Sequence, residues 1–323
     1  MSAELPIIPK NELTLDGLKG KKIAIIGYGN QGKAHAQNLR DSGFTVTVGA
    51  RHPEEAKNDG FETTVICEAA DADLVILALP DELQGEIYSE QIEPNLPNGA
   101  TLGFIHGFAI HYGIISPPRG IGAILVAPKG PGITVRQRYT EGKGVPALLA
   151  VAQENKTDTA RQIALAWATG IGSARVGVLD STFAHETETD LFGEQSIIVG
   201  GLTALIKASY ETLVAAGYPK SLAYIECCHE VKQVADIIYE RGIAEMMAAI
   251  SNTAEIGAYE AMDILDDEHL RDHLRTILTN IQDGTFAKRL VENKIKCKRE
   301  ELEKHEIEKI GKEIRTLMQR VDD

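Results

Sequence analysis

The sequence is short of positive charge: 33 Lys and Arg face 47 Asp and Glu, for a formal charge of −14. A surface of that sign repels phosphate backbones and anionic headgroups, which excludes nucleic acid and membrane as expected partners. Long hydrophobic runs are missing too. The longest, Ile197 to Ile206, covers half of the roughly 20 residues a membrane helix needs. The N-terminal MSAELPIIPKNEL has no basic segment leading into an apolar one, so no secretion signal is read there. Cysteine is scarce, and Cys67, Cys227, Cys228 and Cys297 lack the paired spacing of a metal site, as expected of a reduced cytoplasmic protein. There is no low-complexity segment and no clear repeat. What remains is an ordinary globular composition, 43% hydrophobic and 25% charged, in 323 residues. That length predicts two domains at roughly 100–200 residues each.

The first half alternates strand and helix patterns. Lys22 to Ile26 reads as a short apolar strand, and a helix follows from Gln31 to Arg40. Thr45–Gly49 is β-branched, and Asp73–Leu79 (DLVILAL) is a continuous apolar run of the kind found in a parallel strand covered on both faces. Further strand runs are Thr101–Ile105, Ala123–Ala127 and Val145–Val151; a helix over Thr157–Thr169 then leads to a last strand, Ala174–Leu179. This alternation predicts a doubly wound parallel sheet over residues 1–182. From 183 to 323 only helical periodicity remains. One helix is expected from Thr189 to Ala216, closed by Gly217, and another from Pro219 to Gly242. The Lys- and Glu-rich tail from Asn293 to Val321 reads as a solvated amphipathic helix.

Gly27-Tyr28-Gly29-Asn30-Gln31-Gly32 fits G-x-G-x-x-G between the first strand and the first helix. The first glycine permits the tight turn, the second lets the backbone approach a pyrophosphate, and the third lets helix and strand pack closely. The helix N-terminus faces the anion. This is the fingerprint of a Rossmann dinucleotide site. The cofactor's identity is less sharply written. No acid stands directly at the end of the second strand to hold the ribose hydroxyls of NAD. Arg51 suits either the extra phosphate of NADP or an adenine face, whereas Glu54 and Glu55 repel that phosphate. No hydroxyl side chain lies between Arg51 and Gly60, and the balance favours NADH.

The helical half carries acids where apolar residues belong. Steps of four give Asp190, Glu194, Ile198, Leu202 and Ile206 on one helix, and Leu222, Glu226, Glu230, Val234 and Ile238 on the next. Like charges one turn apart repel, and burying them costs more, so a divalent metal is one explanation. Hard oxygen donors with few histidines nearby suit Mg²⁺ or Mn²⁺ better than zinc. Solvated acids at the edge of a stripe, or acids paired with Lys and Arg, are the other. His106 and Lys129 each stand at the end of an apolar strand, the edge where such sheets bind ligands, though either fits a structural role as well. Ser251-Asn252-Thr253 reads as a helix cap.

Taken together, these segments resemble the ketol-acid reductoisomerases (acetohydroxy acid isomeroreductases) of the shorter class. The likeness runs from Leu13 to Lys288. It rests on the glycine loop, His106-Gly107-Phe108, Ala127-Pro128-Lys129-Gly130-Pro131-Gly132, Glu188-Thr189-Asp190-Leu191-Phe192-Gly193-Glu194-Gln195, Glu226-Cys227-Cys228-His229-Glu230 and Ile250-Ser251-Asn252-Thr253-Ala254-Glu255. The resemblance implies an oxidoreductase of valine and isoleucine synthesis that uses NAD(P)H and two Mg²⁺. Its expected substrates are 2-acetolactate and 2-aceto-2-hydroxybutyrate. It implies that Asp190 bridges both metals, that Glu194 holds one, and that Glu226 and Glu230 serve the other from a neighbouring subunit. Glu230 and Ser251 would meet the substrate, and His106 and Lys129 would order protons and water. The cofactor would lie on Gly27 through Gly32, on Arg51, Glu54 and Glu55, and on Gly132. A helical domain that is knotted, or interlocked between subunits, implies a homodimer with a shared site.

This sequence also departs from the family pattern. Asn30 replaces a common serine, Ile133 a frequent histidine, and the Arg51–Glu55 loop is short and lacks phosphate-binding serines. Two competitors remain. A β-hydroxyacid-type dehydrogenase, or a non-catalytic nucleotide sensor, would leave the paired acids without a purpose, and Mg²⁺ would not affect either.

Overall fold

The computed structural model describes residues 4–292 and 298–319. Cys297 and parts of the expected tail helix lie outside them. The chain divides into two compact units, Met1–Thr189 and Asp190–Asp323. The division falls inside a helix, where the sequence reading put it at 182/183.

The first unit is a sheet of eight strands: β1 (Ile23–Ile26), β2 (Val46–Gly49), β3 (Glu62–Thr64), β4 (Leu74–Leu77), β5 (Thr101–Phe104), β6 (Gly122–Pro128), β7 (Ala147–Gln153) and β8 (Val178–Asp180). Their order is β3-β2-β1-β4-β5-β6-β7-β8. The chain winds outward in one direction from β1 and in the other from β4, which opens a crevice between those two strands at their C-terminal ends. Helices α1 (Asn30–Asp41), α2 (Glu54–Asn58), α3 (Ile66–Ala69), α4 (Asp81–Ile87), α5 (Phe108–His111), α6 (Gly132–Thr140) and α7 (Ala160–Gly170) make the connections. β1, β4, β5 and β6 are buried along their whole length. One apolar cluster includes Ile25, Leu74, Ile76, Val126 and Trp167, and another includes Ile26, Val75, Leu77, Leu102 and Phe104. Strand residues alternate between the two clusters, so both faces are covered, as the unbroken apolar runs require.

The sheet corrects two expectations. It is not wholly parallel: β1 to β6 run one way, and β7 pairs antiparallel with β6. The reason is a contact between the two strand ends. The Lys129 N–H donates to the Pro146 carbonyl at 2.8 Å, so β7 starts where β6 ends and α6 is an insertion in the hairpin. In addition, the strand expected over Ala174–Leu179 begins with a 3₁₀ turn at Ser173–Arg175, and only Val178–Asp180 joins the sheet.

Helix α8 (Phe183–Gly193) crosses the division and continues through a π-helical turn, Glu194–Ile198, into α9 (Gly200–Ala215). The second unit then holds α10 (Lys220–Tyr224), a second π turn (Ile225–His229), α11 (Val231–Arg241), α12 (Ile243–Ala249), α13 (Asn252–Leu265), α14 (Glu268–Gln282), α15 (Thr285–Val291), α16 (Arg299–Glu303) and α17 (Glu306–Gln319). Gly242, at φ +87°, ends α11 where a glycine stop was expected. Tyr210, Ala223 and Tyr224 pack with Ile307, Ile310 and Ile314 of α17 to form a small core.

The apolar stripes are not where steps of four put them. Each π turn adds a residue to the helical repeat: the Val199 N–H reaches back to Glu194 O and the Glu230 N–H to Ile225 O. Val199, not Ile198, therefore lies one turn past Glu194. Ile198, Leu202, Leu222, Val234 and Ile238 are all exposed in the single chain. Among the described residues one helical run, Phe183–Ala215, is long and apolar enough by length and composition to cross a membrane. The sequence reading missed it because it counted unbroken apolar residues.

Candidate active site at the strand ends

The glycine loop is built as its spacing demands. Gly27 follows β1 at φ +98°, and a side chain there would meet the Ala78 carbonyl at 2.5 Å. A Cβ on Gly32 would come within 2.3 Å of the Gly27 carbonyl, which is why helix and turn need a glycine there. A Cβ on Gly29, by contrast, would meet open space. Gly29 is the N-cap of α1 and gives it no side-chain cap, leaving first-turn N–H groups for an anion. Gly132 supports the loop from behind: a side chain there would strike the Asn30 carbonyl at 2.0 Å. Gln31 reinforces that contact by donating from Nε2 to the Gly130 carbonyl at 3.0 Å. The lysine loop and the glycine loop are thus packed as one piece.

Beside it lies the loop after β2. Arg51, Glu54 and Glu55 are exposed. Glu55 is paired with Lys33 of α1 at 2.7 Å, and Lys33 also reaches Asp59 at 3.0 Å. Tyr28 donates its hydroxyl to Asp59 at 2.8 Å. Burial, and then that carboxylate, push the Tyr28 phenol well above its ordinary range. Tyr28 therefore stays a neutral donor.

The chemistry-bearing side chains meet at the ends of β4, β5 and β6. Glu186, on the part of α8 that belongs to the first unit, is only 1% exposed. Its Oε2 accepts from the Gly107 backbone N–H at 2.8 Å, and its Oε1 from Lys129 Nζ at 2.9 Å. A buried carboxylate needs such partners, and this one has a cation and a main-chain donor. A ring nitrogen of His106 lies within 4.8 Å of a Glu186 oxygen, and so does an oxygen of Asp190, one turn further along the same helix. His106 Nδ1 bonds Asp81 Oδ2 at 2.9 Å. Gly107 has to be glycine, since a Cβ would sit 2.5 Å from Thr187 Oγ1.

The other expected residues lie elsewhere. Glu194 is exposed at the start of the first π turn, and Glu226 and Glu230 are exposed on and after the second. None of the three belongs to the grouping around Glu186. Ser251 caps α13, its Oγ accepting from the Ala254 N–H at 3.2 Å, as its sequence context suggested.

Residues 17–177 match the family model of the acetohydroxy acid isomeroreductase NADPH-binding domain, and residues 183–320 that of the ketol-acid reductoisomerase C-terminal domain. The chain belongs to the ketol-acid reductoisomerase family. The structure of an NADH-preferring ketol-acid reductoisomerase from an uncultured archean superposes with a TM-score of 0.93 at 40% identity, covering 97% of this chain and 99% of that one. An NAD-binding protein from Cupriavidus necator, described as a semialdehyde dehydrogenase, is 21% identical with a TM-score of 0.59, covering 80% of this chain and 99% of its own. A 1-pyrroline-5-carboxylate reductase from Streptococcus pyogenes is 14% identical with a TM-score of 0.53, over 81% and 98%. These last two share the fold alone. As a ketol-acid reductoisomerase, the chain is an oxidoreductase of branched-chain amino acid synthesis that binds NAD(P)H. The sequence reading missed Glu186. It stands one turn before Asp190, so the step of four that singled out Asp190 and Glu194 would have reached it if carried one turn back.

Proposed function

We propose that this ketol-acid reductoisomerase is Mg²⁺-dependent and prefers NADH. In this reading it converts 2-acetolactate to 2,3-dihydroxyisovalerate, and 2-aceto-2-hydroxybutyrate to 2,3-dihydroxy-3-methylvalerate. One observation carries the reading: a buried carboxylate, Glu186, joins Lys129, the Gly107 N–H and His106 at the strand ends where the glycine loop turns. The donors suit a hard cation, since oxygens of Glu186 and Asp190 come within 4.8 Å of each other on one helix turn. Asp190 and Glu194 would hold Mg²⁺, with Glu226 and Glu230 from a second copy. Two bound Mg²⁺ would supply Lewis acidity at the ketone and ease ionisation of the tertiary alcohol on the adjacent carbon. The alkyl group then moves between those carbons, and bound NADH would supply the hydride that reduces the new ketone.

The protein's own residues handle orientation and protons. Lys129, held by Glu186, presents a cation where negative charge develops. His106 relays the alcohol proton. Ser251 and Glu230 orient the substrate. The first-turn N–H groups of α1 hold the pyrophosphate. The homodimer and the cytoplasmic setting belong to the same reading. Apolar side chains exposed on α9 and α13 support the dimer, and the acids along Phe183–Ala215 favour a covered helix over a membrane-spanning one.

The test is oxidation of NADH and of NADPH by purified protein with racemic 2-acetolactate, in Mg²⁺ and in chelator. Mg²⁺-dependent oxidation, faster with NADH, is expected. Glu226→Gln should retain NADH binding and lose more than about a hundredfold in turnover, since even residues outside the direct ligands typically cost 10- to 100-fold. Equal rates in chelator, or full activity of Glu226→Gln, would overturn the two-metal reading.

A further inference from the structure

We propose that Asp59 is a specificity-determining residue for the cofactor: it engages the Lys33 ammonium and the Tyr28 hydroxyl proton, so that a 2′-phosphate finds neither free while a ribose 2′-hydroxyl is accepted. This rests on the functional reading above, and it names a residue outside the loop after β2 for the preference stated there. β1 and β2 pair in parallel with Ile26 opposite Gly49, and the Gly27 N–H donates to the Gly49 carbonyl at 2.9 Å. The glycine loop and the loop after β2 therefore leave the sheet side by side. In a Rossmann site the adenosine ribose lies at that edge. Lys33 stands one turn into α1 and reaches Glu55, four residues past Arg51, so its ammonium bridges α1 and α2 there.

Asp59 closes that cluster. It follows α2 directly, and its Oδ2 alone takes three donors: Tyr28 Oη at 2.8 Å, Lys33 Nζ at 3.0 Å and Gln37 Nε2 at 3.1 Å. Its backbone carbonyl accepts from Arg40 Nη1 at 2.6 Å, and the Arg40 guanidinium lies 4.4 Å from the centre of the Phe61 ring. Phe61 is buried and meets Tyr28 edge to face, centroids 5.7 Å apart. The glycine loop and α1 thus fix the place of this carboxylate, which is itself mostly buried.

The arrangement discriminates by charge and by proton. The Lys33 ammonium stands against two carboxylates, Glu55 and Asp59, so the three together carry one net negative charge. A phosphate brought beside them must compete with both acids for that ammonium. Tyr28 has one hydroxyl proton and gives it to Asp59. Its oxygen keeps only acceptor capacity, which suits a ribose hydroxyl and repels an ionised phosphate, itself an acceptor. Glu54 and Glu55 are exposed, and salt screens them, whereas the mostly buried Asp59 is screened less.

Calorimetry of the full chain with NADH, NADPH, 5′-AMP and adenosine 2′,5′-bisphosphate reads the preference without turnover. Asp59→Asn keeps an amide oxygen for Tyr28 and removes the charge. The ratio of Kd for NADPH to Kd for NADH should then fall about fivefold, the size of one such charge pair, and the ratio for the two fragments should fall with it. Adding Lys33→Gln restores the native net charge and should return both ratios to about their native values. Asp59→Ser, which also frees the Tyr28 proton, should lower the ratios at least as far and decides the matter if the asparagine variant packs badly. Native ratios in both Asp59 variants, or a fall that survives the loss of Lys33, would overturn the proposal. Native protein that binds NADPH more tightly than NADH would instead overturn the NADH reading, and the change from native to variant would still decide this one.

Discussion

The two units bury their apolar residues to very different degrees. In the first, β1, β4, β5 and β6 are buried end to end, and both faces of the sheet are closed by helices of the same chain. In the second, a small core around Tyr210 and Tyr224 is surrounded by helices that leave Ile197, Ile198, Val199, Ile256 and Ile264 more than half exposed. Burying such a side chain is worth about 1.5–3 kcal/mol, and exposed patches of this kind mark interaction surfaces. The first unit is complete within one chain. The second has the composition of a core whose other half lies elsewhere, which fits the proposed homodimer.

The contrast breaks most readily at α13. Ile256 is 62% exposed and Tyr259, on the same face, 48%. Changing both to Asp should raise the dimer dissociation constant by about a hundredfold or more, from two side chains at about 1.5 kcal/mol each. Light scattering should then find single chains, and turnover should vanish with the proposed shared site. Binding of NADH, which needs only the first unit, should survive. Native mass and native turnover in this variant would mean that α13 is not part of the interface.

A second measurement sharpens the comparison from the side of the closed unit. His35 is completely buried on α1, and Trp167 Nε1 donates to its Nδ1 at 3.0 Å. Burial lowers its pKa to about 3. The ordinary value is about 6.5, so between those limits the unfolded chain takes up a proton that the folded one refuses. Stability is then constant above pH 6.5 and falls as pH drops below it, by up to about 1.4 kcal/mol per pH unit from this group. Trp167 is the sole tryptophan, so its fluorescence in urea reports on the first unit alone. The midpoint should fall from pH 6 to pH 5 in native protein and much less in His35→Gln. An equal fall in both would place the proton elsewhere.

The sequence was most informative where the cause is local. The glycines of Gly27–Gly32 answer to contacts within one turn, the apolar runs of β1, β4 and β5 to burial on both faces, and Ser251 to its own helix start. It was least informative where a distant contact decides. β7 is antiparallel because Lys129 binds Pro146 across an inserted helix, and no feature of Val145–Val151 records its direction. β3 went unread because Glu62-Thr63-Thr64 is an exposed, polar edge strand. The apolar stripes beyond the acids were misplaced because the π turns at Glu194–Ile198 and Ile225–His229 change the period just where it was being counted. The pairing of Asp81 with His106 depends on β4 and β5 being neighbours, which only the sheet order supplies.

The smallest expected effect concerns cofactor choice, and it tests whether the closed unit tolerates changes at its rim. Glu54 and Glu55 open α2 beside Arg51, but they are not equivalent. Glu55 is tied to Lys33, whose ammonium is held above the usual lysine range by hydrogen bonds to Glu55 and Asp59. Glu54→Ser with Glu55→Ser removes two negative charges and releases Lys33 from one of its partners, which leaves Arg51 and Lys33 against Asp59 alone. A 2′-phosphate should then meet a net positive rim. Exposed charge pairs are worth about 0.2–1 kcal/mol, so the ratio of kcat/KM for NADPH to that for NADH should rise only about two- to fivefold. Adding Lys33→Ala should cancel the gain, because it removes the cation the double change sets free. A ratio that stays put in the double variant would mean that this loop does not select. A gain that survives the loss of Lys33 would assign it to Arg51.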